Sequence, residues 1–212
     1  MPPNEQSSEV IEASSFSLHV VFNNLDKALV EERDVKLVEF IKAYEELNKF
    51  IGIMGKIFQF VKLDVNAKIG TLTKLIDSNT ENYETVNAML YYEHKLKKKP
   101  GSTAFLGLHR ALEFIVDFLQ CLIVAKDEDN VPQLCRQSYE KTLSRFHAWM
   151  VRKAVDLASY TLPNRRQLID GIQGVSSDDE VREIAICVIE RGQSIYKLNQ
   201  LTYDELKLNN LL

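Results

Sequence analysis

Residues 103–125 read TAFLGLHRALEFIVDFLQCLIVA, and this stretch decides the fold. It is apolar around most of a helical circumference, with His109, Glu113, Asp117 and Gln120 forming one narrow polar stripe. Such a helix belongs in the middle of a structure, covered on more than one side. Working outward, the eight glycines and five prolines of the 212-residue chain gather at a few breaks, KKPGS, NVPQ, LPNRR and GIQGVSS. The long segments between them carry apolar residues at helical spacing. The pattern predicts an all-α fold with helices near 15–30, 34–54, 55–77, 80–98, 103–125, 131–160, 165–172 and 178–200. The acids and serines of SSDDE, 176–180, predict a capped helix start.

The bulk properties narrow the class. The chain is 45% hydrophobic and 26% charged, and its residues 15–212 have the size of a single domain, behind a polar, acidic N-terminal stretch (1–14) expected to be a flexible tail. The 26 basic and 30 acidic residues of the whole chain give no sign of a nucleic-acid partner. Cys121, Cys135 and Cys187 show neither metal-ligand spacing nor an even count for disulfides, so reduced thiols in a cytoplasmic protein are the simplest expectation. The N-terminus lacks the basic and apolar regions of a signal peptide, and the apolar segments are too interrupted to span a bilayer. No nucleophile motif, metal cluster or phosphate-cradling glycine loop is present, which argues against an enzyme and calls for no metal or cofactor.

Two helices carry polar residues in apolar company. In FVKLDVNAKI, 60–69, Asp64 and Lys68 stand four apart on the same broad face as Ile57, Val61, Leu72 and Leu75. The pair is either an ion pair at the core's edge with its charged ends reaching water, or a polar site turned toward a ligand. In SRFHAWMVRKAVDLASYTLP, 144–163, helical spacing puts His147 on a face with Leu143, Val151, Ala154 and Ala158. The opposite face carries Arg145, Trp149, Arg152, Lys153 and Asp156. A tryptophan beside cations suits a membrane interface, and equally a surface indole stacked on an arginine stem.

Taken together, DVNAKI at 64–69, LHRALEFI at 108–115 and FHAWMVRKAV followed by LPNRR within 146–166 resemble the glycolipid transfer protein superfamily in order and spacing. The resemblance covers nearly the whole chain after the tail. It implies a two-layer sandwich of about eight α-helices that carries a sphingolipid between membranes without enzymatic chemistry, most simply as a monomer that docks transiently on membrane surfaces. It also implies roles for individual residues: Asp64 and Lys68 bind the lipid headgroup, Asp64 and His147 meet the ceramide amide, and Trp149, with Arg152 and Lys153, contacts the membrane. A lipid-regulated sensor or adaptor, and a member that has lost transfer, are the alternatives.

The chain departs from its relatives at the start of the central helix. Glycolipid binders of the family place a tryptophan just before the leucine of LHRAL; ceramide-1-phosphate binders place an arginine there and another four residues earlier. Here those positions are Gly107 and Thr103. Lys68 matches the phosphate branch, whose sugar-binding counterpart has asparagine. Gly107 leaves space for a larger headgroup or for another side chain such as Arg110. The run HKLKKKPGS, 94–102, puts four lysines just ahead of this end, either as a solvated helix terminus or as a contact for anionic lipid.

Overall fold

Apolar residues at helical spacing and side-chain caps place most of the helices. The computed structural model describes residues 16–212, so the tail expected over 1–14 lies outside the described residues. In chain order it contains α1 (Leu18–Ala28), a small antiparallel hairpin of β1 (Leu29–Val30) and β2 (Asp34–Val35), α2 (Leu37–Ile53), α3 (Gln59–Ser78) and α4 (Val86–His94). It continues with α5 (Pro100–Val124), α6 (Val131–Thr142), α7 (Trp149–Ser159), α8 (Arg165–Asp170) and α9 (Asp178–Glu205). Short 3-10 turns at Lys56–Phe58 and Thr80–Asn82 stand where the periodicity predicts the first turns of the third and fourth helices.

Local chemistry accounts for the boundaries. Thr85, Asn130 and Ser177 each accept an N–H from three residues on, at 3.2, 3.0 and 3.2 Å, and Asn164 forms a reciprocal capping box with Gln167. α5 begins three residues earlier than expected because Pro100, whose missing N–H is harmless in a first turn, opens it. The fully buried Glu93 holds that start in place. Its carboxylate accepts from the amides of Gly101 (2.9 Å) and Ser102 (2.7 Å), the Ser102 hydroxyl and the Tyr83 hydroxyl, satisfying donors at the helix's positive end.

The helices form a two-layer all-α sandwich with α5 in the middle, packed by α3, α4, α6 and α9. The neighbours α1, α2, α3, α5 and α9 close a circuit around the larger core cluster, which includes Tyr44, Phe40, Phe105 and Tyr203. A smaller cluster around Phe58, Phe118, Leu122 and Leu168 lies beside it. Phe50, Ile51 and Val61 touch both clusters and line the cavity where the two meet. No helix among the described residues is long and apolar enough to cross a membrane.

One expected helix, 131–160, is broken. α6 ends at Thr142, a 3-10 turn spans Ser144–Phe146, and His147 is extended (φ −108°, ψ 138°) before α7 starts. The Thr142 and Ser144 hydroxyls bond back to the carbonyls of Ser138 and Glu140, an alternative that Ser and Thr offer to a continuing helix. His147 therefore does not share a helical face with Leu143, Val151, Ala154 and Ala158. The polar stripe of α5 is also covered rather than open along most of its length. His109 is fully buried, while Glu113 and Asp117 pair with Arg145 and Lys141 from the α6 side.

Candidate lipid-binding site

The cavity between α2, α3, α5, α6 and α7 measures about 580 Å³, within the roughly 300–1,000 Å³ of small-molecule sites. Its wall is almost wholly apolar and reaches from Phe16 and Leu18 past Phe58, Phe114, Phe118 and Leu122 to Val155 and Leu168. Asp64, Lys68, Arg110 and His147 also line it. The charges of Asp64, Lys68 and Arg110 all act on His147, so the four groups share one neighbourhood.

Asp64 and Lys68 project from α3 one turn apart and form a direct ion pair. The Asp64 side chain is 64% exposed and Lys68 19%, so the pair sits at the cavity mouth rather than deep among the apolar residues of its face. Lys68 lies flat across α5, and a Cβ on Gly107 would fall 2.2 Å from its Cε. The space opened by Gly107 is thus filled by the Lys68 stem. Thr103, one turn earlier, is absent from the cavity wall, and its hydroxyl donates to the Lys99 carbonyl at 2.7 Å.

Arg110 is almost fully buried, with its guanidinium 3.7 Å above the Phe146 ring. One terminal nitrogen donates to the Asn209 carbonyl, while Nε has no partner among the described residues. His147 is half-buried at the end of the broken segment, its Nδ1 2.8 Å from the Tyr139 hydroxyl. Burial, aided by the nearby cations Lys68 and Arg110, lowers its pKa from the usual 6.5, against the pull of Asp64.

Beside this mouth the first turns of α7 are unburied. Trp149 and Met150 are 64% and 76% exposed, with Arg152 and Lys153 exposed on the same short helix. Phe60, Phe146 and Val151 are exposed and line the cavity as well, so its rim is apolar on the α3 and α7 sides.

Three residues of the site had no place in the sequence reading: Asn48 and Tyr139 in the cavity wall, and Asn209, whose carbonyl accepts from Arg110. Asn48 of α2 is buried and donates to Asn66 at 2.6 Å, and its own Oδ1 has no partner among the described residues. Asn48 stands one turn after the buried Tyr44 on α2, and a polar residue at that core-facing position is the signal that could have found it. Tyr139 and Asn209 join the site only through tertiary contacts, which helical spacing does not encode.

A two-layer helical sandwich with an apolar cavity and a polar mouth is the architecture of a lipid carrier. The family model described as Glycolipid transfer protein (GLTP) matches residues 35–174, and the chain belongs to this family. It is 30% identical over 214 residues to a ceramide-1-phosphate transfer protein of Danio rerio, covering 94% of this chain and 98% of that one. Among solved structures it is similar to the mouse ceramide-1-phosphate transfer protein in its apo form, with a TM-score of 0.87 and 28% identity over 93% of this chain and all of that one. The human ceramide-1-phosphate transfer protein in complex with 12:0 ceramide-1-phosphate gives a TM-score of 0.84 at 28% identity, again over 93% of this chain and all of that one.

Proposed function

We propose that this protein is a non-enzymatic carrier that moves a sphingolipid between membrane surfaces, with the headgroup at the polar mouth and the hydrocarbon chains in the apolar cavity. The observation that carries this reading is the 580 Å³ apolar cavity joined to the cluster of Asp64, Lys68, Arg110 and His147. A ceramide amide offers one donor and one acceptor, and taking it out of water requires both to be met. Asp64 accepts from the amide N–H. A neutral His147 that accepts from Tyr139 at Nδ1 carries its proton on Nε2 and donates it to the amide carbonyl. Chain burial, at about 0.8 kcal/mol per methylene, replaces the packing lost on leaving the bilayer. No bond is made or broken.

The headgroup favoured is a phosphate monoester. Lys68, resting on Gly107, and Arg110 supply two cations beside the amide-binding pair, and there is no tryptophan platform for a sugar. The two cations take the place of the arginines that the phosphate branch carries at positions 103 and 107. Trp149 and Met150 enter the membrane interface while Arg152 and Lys153 meet anionic lipid, which brings the apolar rim to the bilayer. A cytoplasmic monomer fits this cycle of docking and release. The sensor or adaptor reading has no separate support.

The test is transfer between vesicles, offering fluorescent ceramide-1-phosphate and glucosylceramide to the purified protein in parallel. Movement of the phosphate lipid at least about tenfold faster is expected. Faster movement of the sugar lipid would overturn the headgroup assignment, and movement of neither would overturn the carrier.

A further inference from the structure

Residues 206–212 leave α9 by a sharp reversal. The Lys207 amide donates to Asp204 O (3.2 Å) and the Leu208 amide to Tyr203 O (3.0 Å), with Lys207 at φ +55°. This is a Schellman ending with lysine at the left-handed position that glycine usually fills. A Cβ is disfavoured there, so the reversal is held by what it brings together. Leu206 and Leu208 are buried in the core, and Leu212 reaches the cavity wall.

Between them, Asn209 is bound on three sides. Its carbonyl accepts from Arg110, its side-chain oxygen accepts from Gln200 Nε2 at 3.0 Å, and its amide donates to Asp204 at 2.7 Å. Gln200 also donates to Asp204 at 2.8 Å and, through Oε1, lies 3.0 Å from His109 Nε2. His109 is buried, stacked on Tyr196 at 4.3 Å, and directly precedes Arg110 on α5. The hydrogen bonds therefore close a loop from α5 through α9 and Asn209 back to α5.

We infer that residues 206–212 form a clasp that fixes the plane and rotation of the Arg110 guanidinium at the cavity mouth, making Gln200 and Asn209 positioning residues for an anionic headgroup. Two constraints act on the guanidinium. Phe146 covers one face, and the Asn209 carbonyl holds one end. Nε is a buried donor with no partner among the described residues, a costly condition unless an acceptor comes to it. A planar fork recognises phosphate only when its orientation is set, and a free side chain would spend that ordering at each binding event. The inference rests on the phosphate reading of the mouth.

Gln200→Ala and Asn209→Ala separate the clasp from its neighbours, because Asn209→Ala keeps the main-chain acceptor and removes both side-chain anchors. Binding of ceramide-1-phosphate and of unphosphorylated ceramide is measured on the intact chain. Each variant is expected to lower the phosphate-to-ceramide preference about tenfold, the worth of one hydrogen bond to a charged group, while ceramide binding moves less than about twofold. An unchanged preference, or equal loss for both lipids, overturns the clasp. Without any lipid, nitrogen-15 NMR of the arginine side chains, assigned with Arg110→Ala, reads guanidinium rotation directly. Restricted rotation in the parent chain and faster rotation in both variants is expected; equal rotation in all three overturns the inference. A parent chain that shows no preference for phosphate refutes the headgroup reading alone, and the rotation result still decides the clasp.

Discussion

The N-terminal half of α5 touches two polar clusters that differ in how far their hydrogen bonds are completed. At its first turn, Glu93 is wholly buried and meets four donors. At the mouth, two turns on, Arg110 Nε and, across the cavity, Asn48 Oδ1 have no partner among the described residues. Buried polar groups are normally paired, so a satisfied cluster holds a fold together and an unsatisfied one in a cavity is fitted to something else. The difference separates structure from function within a single helix.

The strongest way to break this comparison is to remove the satisfied acid. Glu93→Ala would leave the Gly101 and Ser102 amides and two hydroxyls without an acceptor, at about 1–3 kcal/mol for each group left unpaired. A total loss of about 4 kcal/mol in urea unfolding is expected, with the lipid preference of the surviving folded protein unchanged. A loss below about 1 kcal/mol would show that Glu93 does not hold the helix start.

His109 sharpens the comparison through pH. Burial lowers its pKa from 6.5 to about 4, only partly offset by its bond to Gln200. Between those values the unfolded chain takes up a proton that the folded chain refuses, so this contribution to stability is present above pH 6.5 and is lost as pH falls toward 4. His109→Phe should remove the loss. The stability difference between parent and variant should change by about 3 kcal/mol across that window, and parallel pH profiles would contradict it.

Asp64→Ala should have the reverse profile to Glu93→Ala. The exposed carboxylate and its ion pair with Lys68 contribute within about 1 kcal/mol to stability. Lipid retention should nevertheless fall about 100-fold, equivalent to about 2.7 kcal/mol. Native mass spectrometry after incubation with vesicles reads retention, and thermal unfolding reads the fold. Unfolding of Asp64→Ala would make the pair structural.

The helices and the central place of α5 were legible because burial imposes a period on a single segment. The D-x-x-x-K pair was legible for the same reason, since one helix carries both residues. The break before His147 was hidden because Thr142 and Ser144 compete with the helix through hydroxyl bonds to the Ser138 and Glu140 carbonyls that leave the apolar period intact. The fate of Gly107 was hidden for a different reason. An empty Cβ position names a space, but only the crossing of α3 and α5 shows that Lys68 fills it. Asn209 lies 99 residues from Arg110, beyond the reach of any local pattern.

Gly107→Ala gives the smallest and most discriminating effect. A helix-interior glycine replaced by alanine gains up to about 1 kcal/mol, and the atom in the way is the far end of a flexible lysine, which can move aside. Folding stability should therefore rise slightly. Phosphate-lipid affinity should fall about threefold as the Lys68 ammonium leaves its resting place on α5, an effect below that of losing a charge-assisted hydrogen bond outright. Gly70 of α3 supplies the control, since a Cβ there meets nothing within 4 Å among the described residues. Gly70→Ala should bring the same gain in stability with no change in affinity. If both alanines raised stability and neither altered phosphate binding, the position of Lys68 over Gly107 would belong with Glu93 as packing, and the anionic site would rest on Arg110 alone.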